Sequence, residues 1–411
     1  MNPPRCNLPV IFAVALCAFS GGNAHAQQLA RVGRADAVAS TVTRGARLAL
    51  ARADTAVAGA QLATARMFQN PALAAAYSKS TPNYHFSLEF PLDVLTSRGA
   101  RIGSAQAGAL AARHRFSFER AASMLDADTT YTRALASRER LELSRRNAVD
   151  ADSLRRMALS RRAAGDASDL DVELATVSAG QAANIAAGDS LTYLSAVLDL
   201  QTVMGLADDR VSIALTDSLG VPTFDSADST LTAAAPLQIA AAEASLEAAR
   251  LAAQAQRRSL FGTPALSVGI ETHDPSGAEP GMLPTVGIAL PFPLFNFNRA
   301  PVRLAEAEQE RARAELSLVQ AMTRAKVART RREFSIAQSK LARDRTLVTS
   351  AQRVAAMSLT AYREGASALP TVLEAQRNAR EVLSQYVDDL AAAWIAAAEL
   401  RVLTLTPARA P

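Results

Sequence analysis

Apolar and polar positions along the chain follow two patterns. The first has period two. In "VGIALPFPLFNFNRAPV" (286–302), Val286, Ile288, Leu290 and Phe292 fall on one side and Gly287 and Ala289 on the other. Leu266, Val268 and Ile270 likewise oppose Ser267, Gly269 and Glu271, and Tyr84, Phe86, Leu88 and Phe90 oppose His85, Ser87 and Glu89. Such alternation predicts strands. The turn-rich stretches "KSTPN" (79–83) and "HDPSGAEPG" (273–281) predict that they form two hairpins.

The second pattern repeats every three to four residues. Positions 303, 306, 310, 313, 317, 320 and 324 make a polar stripe, and 304, 307, 314, 318, 321, 325 and 328 an apolar one that only Arg311 interrupts. This predicts a helix from about Arg299 to Tyr362, roughly 95 Å long at 1.5 Å per residue. Its alanine-rich stripe is expected to be the seam on which it packs, because small side chains let helix backbones approach closely. A comparable helix is predicted from about Ala100 to Ala164, weakened at its start by Gly103 and Gly108.

The plan is used twice. "NPALAAAYSKS" (70–80) is echoed by "TPALSVGIETH" (263–273), and "LEFPLDV" (88–94) by "LPFPLFN" (290–296). "GDASDLDVELA" (165–175) is echoed by "GASALPTVLEA" (365–375) at a constant offset of about 200 residues. Each unit reads helix, strand, strand, very long helix, turn, long helix. The predicted division is 1–26 signal peptide, 27–232 first repeat and 233–411 second repeat. The first repeat has a hairpin at about 71–92, long helices at about 98–204 and a connecting segment at 205–232. The second has a hairpin at about 264–293, long helices at about 298–404 and a C-terminal tail.

Residues 1–26 carry one basic residue (Arg5), an apolar stretch Leu8–Phe19 and Ala24-His25-Ala26, the marks of an export signal cleaved after Ala26. Attachment to lipid through Cys17 is disfavoured by Leu16, where a small residue is expected. Cys6 and Cys17 are the two cysteines of the chain, so the mature part has no thiol for a disulfide, metal or nucleophile. The net charge of +5 is spread out, which gives no nucleic-acid footprint. After residue 26 no apolar run reaches the roughly 20 residues of a membrane helix.

An exported chain with amphipathic strands can still meet a membrane as a β-barrel. A barrel must close so that every backbone group is paired. Four strands are too few, but three chains supply twelve. Val, Ile, Leu and Phe would then face lipid, and His85, Ser87, Glu89, Ser267 and Glu271 the lumen. Phe90, Phe292, Phe295 and Phe297 would form an aromatic girdle at the interface. The fold class expected is mainly α with a transmembrane β part, a duplicated helix–hairpin–long helix–helix unit.

On "LPFPLFNFNRA" (290–300), "YREGASALPTVLEAQRNAREVLSQYVDDLAAAWIAAAEL" (362–400) and the duplicated Gly165 and Gly365 turns, the chain resembles the outer-membrane efflux protein (TolC-like) family. The resemblance implies a homotrimeric exit duct of a tripartite pump, in which the trimer forms a 12-stranded β-barrel continuous with a periplasmic α-helical barrel. A periplasmic adaptor and a proton-driven inner-membrane pump would be its partners, with outer-membrane lipid around the barrel. It implies that "MGLADDRVSIALTDSLGVPTF" (204–224) and the C-terminal tail form a waist. It also implies that the tips around Gly165, Val172, Ala175, Gly365, Val372 and Ala375 dock the adaptor. The aperture-narrowing acids of the family correspond to Thr371 and Glu374, with Asp169 and Asp171 as candidates to restore acidity; helix-start acids are the plainer reading of the last two. Three copies would make a cation-attracting ring. Ala53-Asp54 replaces the family's Asn-Pro, which affects only a local helix break. The cargo, metal cation or drug, is open, with a slight leaning to metal.

Enzymatic chemistry finds no support. The four histidines (25, 85, 114 and 273) are far apart in sequence, and no hydrolase, zinc-protease or nucleotide-binding motif occurs. Glu306, Glu308 and Glu310 read as solvated helix faces. No cofactor or metal is expected. A periplasmic coiled-coil adaptor or a structural envelope protein is the alternative, but an adaptor needs a β-domain split around one hairpin rather than two full copies.

Overall fold

A computed structural model describes residues 29–93, 98–206, 213–222, 236–258, 263–273, 281–292 and 297–406. The elements in order are β1 (Ala30–Val32), α1 (Arg34–Arg44), α2 (Ala46–Arg66), β2 (Ala72–Tyr77), β3 (Tyr84–Pro91), α3 (Arg98–Ala163) and α4 (Asp169–Val203). There follow β4 (Ile213–Leu215), α5 (Leu237–Arg258), β5 (Ala265–Thr272), β6 (Leu283–Ala289), α6 (Arg299–Arg363) and α7 (Leu369–Leu403). Among the described residues no helix is long and apolar enough to cross a membrane.

Both predicted hairpins form, and they join into one antiparallel sheet of order β2-β3-β5-β6. The register keeps the predicted faces together. Phe86 lies opposite Ile270, and Val268 lies between Leu88 and Val286. His85 lies opposite Glu271, and Ser267 between Glu89 and Gly287. β2 and β6 each have one unpaired edge within the chain.

The helices lie side by side. Near the sheet the order is α2, α3, α5, α6; farther away α4 and α7 continue the lines of α2 and α5, giving α4, α3, α7, α6. α5 begins where α7 ends, with the Leu237 amide donating to the Leu405 carbonyl at 3.0 Å. The row has the same handed order as the sheet, so α2 sits on the β2 side and α6 on the β6 side.

The seam of α6 is a correction. Ala305, Thr323, Thr330, Ala337, Leu341, Ala355 and Tyr362 are its buried residues. The predicted stripe (Leu304, Ala307, Ala314, Leu318, Ala321, Ala325, Ala328) lies on the opposite side and is exposed throughout. Both faces are apolar because alanine recurs on each, so periodicity could not say which one the chain itself covers. α2 repeats this arrangement. Leu48, Ala51 and Ala65 are buried, while Ala49, Ala53, Ala56, Ala60 and Ala63 are exposed on the far side at 4-3-4-3 spacing.

A second departure is at the waist. β1 pairs in parallel with β4, Ala30 to Ile213 and Val32 to Leu215. Around them Tyr131, Leu135, Val197 and Leu200 form a fully buried core. α2 runs unbroken through Ala53-Asp54; the break between α1 and α2 falls at Gly45.

Candidate functional site: the sheet, the waist and the helical tips

The sheet presents two chemistries. On one face Leu73, Tyr77, Phe86, Val268, Ile270, Val286 and Ile288 are all exposed, a continuous apolar surface. On the other, His85 Nδ1 is 3.2 Å from Glu271 Oε1, and its Nε2 is 3.1 Å from Ser78 Oγ. Ser87, Glu89 and Ser267 share that face by register. Gly269 is required there: a Cβ would stand 2.6 Å from the Phe86 carbonyl oxygen and 2.6 Å from Thr285 Oγ1. Of the expected girdle, Phe90, Phe292 and Phe297 are exposed at the helix end of the sheet, and Phe295 lies outside the described residues. The loop end carries aromatics that the sequence reading passed over. Tyr77 and Tyr84 have ring centroids 5.4 Å apart, and Tyr84 and His273 5.6 Å. Tyrosine at the two strand positions that flank the turn, Tyr77 and Tyr84, was the available signal.

Between the helices of the row, α2, α3, α5 and α6 are hollowed into a trough of about 1670 Å³. Its lining mixes Arg47, Arg115 and Lys326 with Asp54, Glu119 and Glu333. Glu306 pairs with Arg257 at 2.6 Å and Glu310 with Arg313 at 2.7 Å, so these acids tie helices or brace one surface. Among the described residues no group of three or more His, Cys, Asp or Glu is placed to hold a metal.

The waist is a knot of polar contacts. The Arg34 guanidinium pairs with Asp128, donates to Thr132 Oγ1 at 3.0 Å and stacks 4.3 Å over the Trp394 ring. The Trp394 indole donates to the Gly220 carbonyl at 2.7 Å. The Tyr131 hydroxyl is 2.9 Å from Asp217 Oδ2 and 3.1 Å from the Val32 carbonyl oxygen. Burial, with Asp217 beside it, pushes its pKa up to about 12.

The two helical turns are built alike. Gly165 (φ 83°) and Gly365 (φ 76°) sit just past the ends of α3 and α6 in the left-handed region. In each, the next residue's amide reaches back to close the helix: Asp166 to the Arg161 carbonyl and Ala366 to the Ala361 carbonyl, both at 2.8 Å. The starts of α4 and α7 differ. Ser168 and Asp171 cap α4 reciprocally, with Asp171 N–H to Ser168 Oγ 3.2 Å and Ser168 N–H to Asp171 Oδ2 3.1 Å. α7 has Ala368 and Pro370 instead.

The expected tip residues divide by exposure. Val172, Ala175 and Val372 are inside the tip core with Leu154, Ala158, Tyr362 and Leu369, so they hold the helices together, and Ala375 is also buried rather than offering a surface. Asp169, Thr371 and Glu374 are exposed, and Asp169 pairs with Arg162 at 2.5 Å. Arg161 braces the two turns: its guanidinium donates to the Tyr362 carbonyl at 2.8 Å and lies 4.9 Å from the Tyr362 ring centroid. Burial raises the Tyr362 pKa, partly opposed by Arg161.

Residues 231–404 match the sequence profile of the outer membrane efflux protein family. No curated protein sequence matches the chain. Solved structures share its fold along most of their length. A membrane protein from Pseudomonas aeruginosa superposes with a TM-score of 0.75 at 21% identity, covering 90% of this chain and 93% of the other. The Campylobacter jejuni CmeC outer membrane channel gives 0.75 at 13%, with 90% and 85% covered. The Vibrio cholerae outer membrane protein VceC gives 0.73 at 16%, with 91% and 96% covered. The resemblance and the duplicated fold read from the sequence therefore stand, and the profile match covers α5, β5, β6, α6 and α7.

Proposed function

We propose that the chain is one of three identical subunits of an outer-membrane exit duct for an efflux system. One observation carries this reading: the open edges of the sheet and of the helix row coincide. β2 and α2 form one side of the chain; β6 and α6 form the other. Each side offers an unpaired strand edge continued by an exposed alanine stripe. An unpaired edge in lipid costs several kcal/mol per backbone group, so a lipid-facing sheet of four strands must be completed by other chains. Joining the β6/α6 side of one copy to the β2/α2 side of the next is a head-to-tail contact, which closes into a ring when its rotation allows. Three copies give twelve strands and a wall of helices below.

In this reading the apolar sheet face meets lipid, the His85–Glu271 face lines the barrel, and the α3–α4 and α6–α7 turns are the periplasmic tips where an adaptor docks. Export through the 1–26 signal delivers the chain, and a proton-driven inner-membrane pump supplies the cargo and the energy. The tube itself does no covalent chemistry. Cargo follows from the pump, and the slight leaning to metal cations is decided by comparing metal and drug susceptibility of a deletion strain.

The ring is tested by cysteine crosslinking. Beyond Cys6 and Cys17 the chain has no cysteine, so introduced pairs are clean reporters. Single cysteines at Ala49, Ala53 and Ala56, each combined with one at Ala314, Leu318 or Ala321, should yield covalent trimers in the outer-membrane fraction. A soluble monomer with no crosslinking in any combination sinks the proposal.

A further inference from the structure

The four helix ends that abut the sheet all carry arginine. Arg66 closes α2, Arg98 opens α3, Arg257 and Arg258 close α5, and Arg299 opens α6, with Arg303 one turn further along. At the ends of α2 and α5 the macrodipole favours a cation. At the starts of α3 and α6 it opposes one, and neither helix has an acid in its first turn. Helix stability therefore does not account for the pattern; what these arginines share is their height, at the boundary between sheet and helix row. Acids do not answer them. Near this boundary Asp93 pairs with Arg101 at 2.8 Å and Glu306 with Arg257 at 2.6 Å. Arg66, Arg98, Arg258, Arg299 and Arg303 have no carboxylate partner among the described residues, and segments 94–97, 259–262 and 293–296 contain neither Asp nor Glu. The other end of the sheet is the reverse, since its two loops set Lys79 against Asp274 and Glu279. Two of the guanidiniums also lie against phenylalanines. Arg98 is 4.1 Å from the Phe68 ring centroid and Arg299 5.6 Å from that of Phe297, and both rings are exposed. Arg98 donates to the Arg66 carbonyl at 2.7 Å, which ties the ends of α2 and α3 together.

We propose that this arginine belt binds the phosphates of anionic phospholipids in the periplasmic leaflet of the outer membrane. The proposal rests on the duct reading, in which the apolar sheet face enters lipid. That face ends at the belt, where Phe90 and Phe292 are exposed. A guanidinium held against an exposed ring suits such a boundary, with the ring toward hydrocarbon and the charge toward the headgroups. Its planar fork matches a phosphate through two parallel hydrogen bonds. Basic side chains at a membrane surface also draw anionic lipid toward them. Three copies carry the belt around the tube as a closed ring. The arginines then hold the phosphate level while the strands stay in hydrocarbon, so the belt fixes the height of the barrel in the membrane.

Spin-labelled lipids test it. The full chain is reconstituted in phosphatidylcholine vesicles at low salt, and the motionally restricted fraction of spin-labelled phosphatidylglycerol is compared with that of spin-labelled phosphatidylcholine. Phosphatidylglycerol should be favoured about threefold, an effect diluted because the belt meets only one leaflet. The preference should vanish in the combined variant Arg66→Gln, Arg98→Gln, Arg258→Gln, Arg299→Gln and Arg303→Gln. Lysine at the same five positions keeps the charge and should largely keep the preference. Arg332→Gln with Arg353→Gln, at exposed positions of α6 far from the sheet, should leave it unchanged. If the glutamine variant does not insert, salt decides: at about 1 M the screening length falls to roughly 3 Å, and the wild-type preference should disappear. Millimolar inorganic phosphate should not displace the lipid, and displacement would assign a free-anion site and overturn the belt. Equal restriction of the two lipids in the wild type also overturns the belt and leaves the duct standing. Restriction of neither lipid means that the sheet does not enter the bilayer, and the duct reading falls with it.

Discussion

Gly165 and Gly365 adopt nearly the same backbone, φ 83° and 76°, and each turn is closed by an amide-to-carbonyl bond of 2.8 Å that spans the glycine. The duplication has thus kept a conformation, while the caps that follow it have diverged. A Cβ at Gly165 would meet nothing within 4 Å, and at Gly365 only Arg161 Nη2 at 3.7 Å, so alanine is opposed by backbone strain alone. Gly165→Ala and Gly365→Ala should each cost about 1–2 kcal/mol, nearly equally, and asparagine should cost less at both. Chemical unfolding of the two pairs of variants checks this. A much larger loss at one turn would mean that a neighbouring subunit crowds it.

Tyr131 makes a sharper prediction, because its hydroxyl ties β1 to the segment just after β4. Tyr131→Phe keeps the ring and removes the donor shared by Asp217 and the Val32 carbonyl, with an expected loss of about 1–3 kcal/mol. The sign with pH follows from its raised pKa. Its contribution is intact below the ordinary tyrosine value of 10.0 and is lost as pH climbs toward about 12. Unfolding measured at pH 7 and above pH 10 should show an alkaline decline in the wild type that is reduced in the phenylalanine variant.

The two faces of the sheet should answer differently to charge. Val286→Arg puts a cation on the apolar face and should cost about 2–4 kcal/mol in a bilayer if it lies near the midplane. Ser267→Arg, on the face with His85 and Glu271, should cost much less. Gly269→Ala should be harmful without any charge, since its Cβ has no room between Phe86 and Thr285. The yield of folded protein in lipid vesicles ranks the three, and equal losses for Val286→Arg and Ser267→Arg would remove the assignment of lipid and lumen.

The strands and their faces were legible because a period of two leaves one register that keeps Phe86, Val268 and Val286 together. The long helices and their turns were legible because Gly165 and Gly365 interrupt otherwise unbroken patterns. The α6 seam was not, because Ala307 and Ala321 look as apolar as Ala305 and Ala337, and only the neighbours decide which are covered. The β1–β4 pair was missed because three residues at each end of a long separation carry no periodicity. At the tip, Val172 and Val372 fell at matching positions of both copies, which located the turns correctly. That match could not reveal that the valines are buried, since conserved spacing serves packing and docking alike. Asp171 was open between aperture and helix start, and its reciprocal bonds with Ser168 show that it caps α4.

That capping role shapes the last prediction, which concerns the constriction. Asp171→Ala would confound charge with the loss of a cap worth about 1 kcal/mol, so it is a poor probe. Glu374 is exposed on the first turns of α7, beside Thr371, and its removal leaves Val372 in the tip core and the buried Ala375 in place. If three copies bring the α6–α7 turns toward one axis, Glu374→Ala should weaken cation block or raise conductance. The effect should be modest, since exposed charges are screened beyond roughly 8 Å at physiological salt. Glu271→Ala removes a carboxylate whose Oε1 is 3.2 Å from His85 Nδ1, near the loop end of the sheet, where the barrel is wide in the proposed assembly. It should alter conductance less. Single-channel recordings in planar bilayers compare the two directly, and an equal or larger effect at Glu271 would place the narrowest point at the barrel rather than at the helical tips.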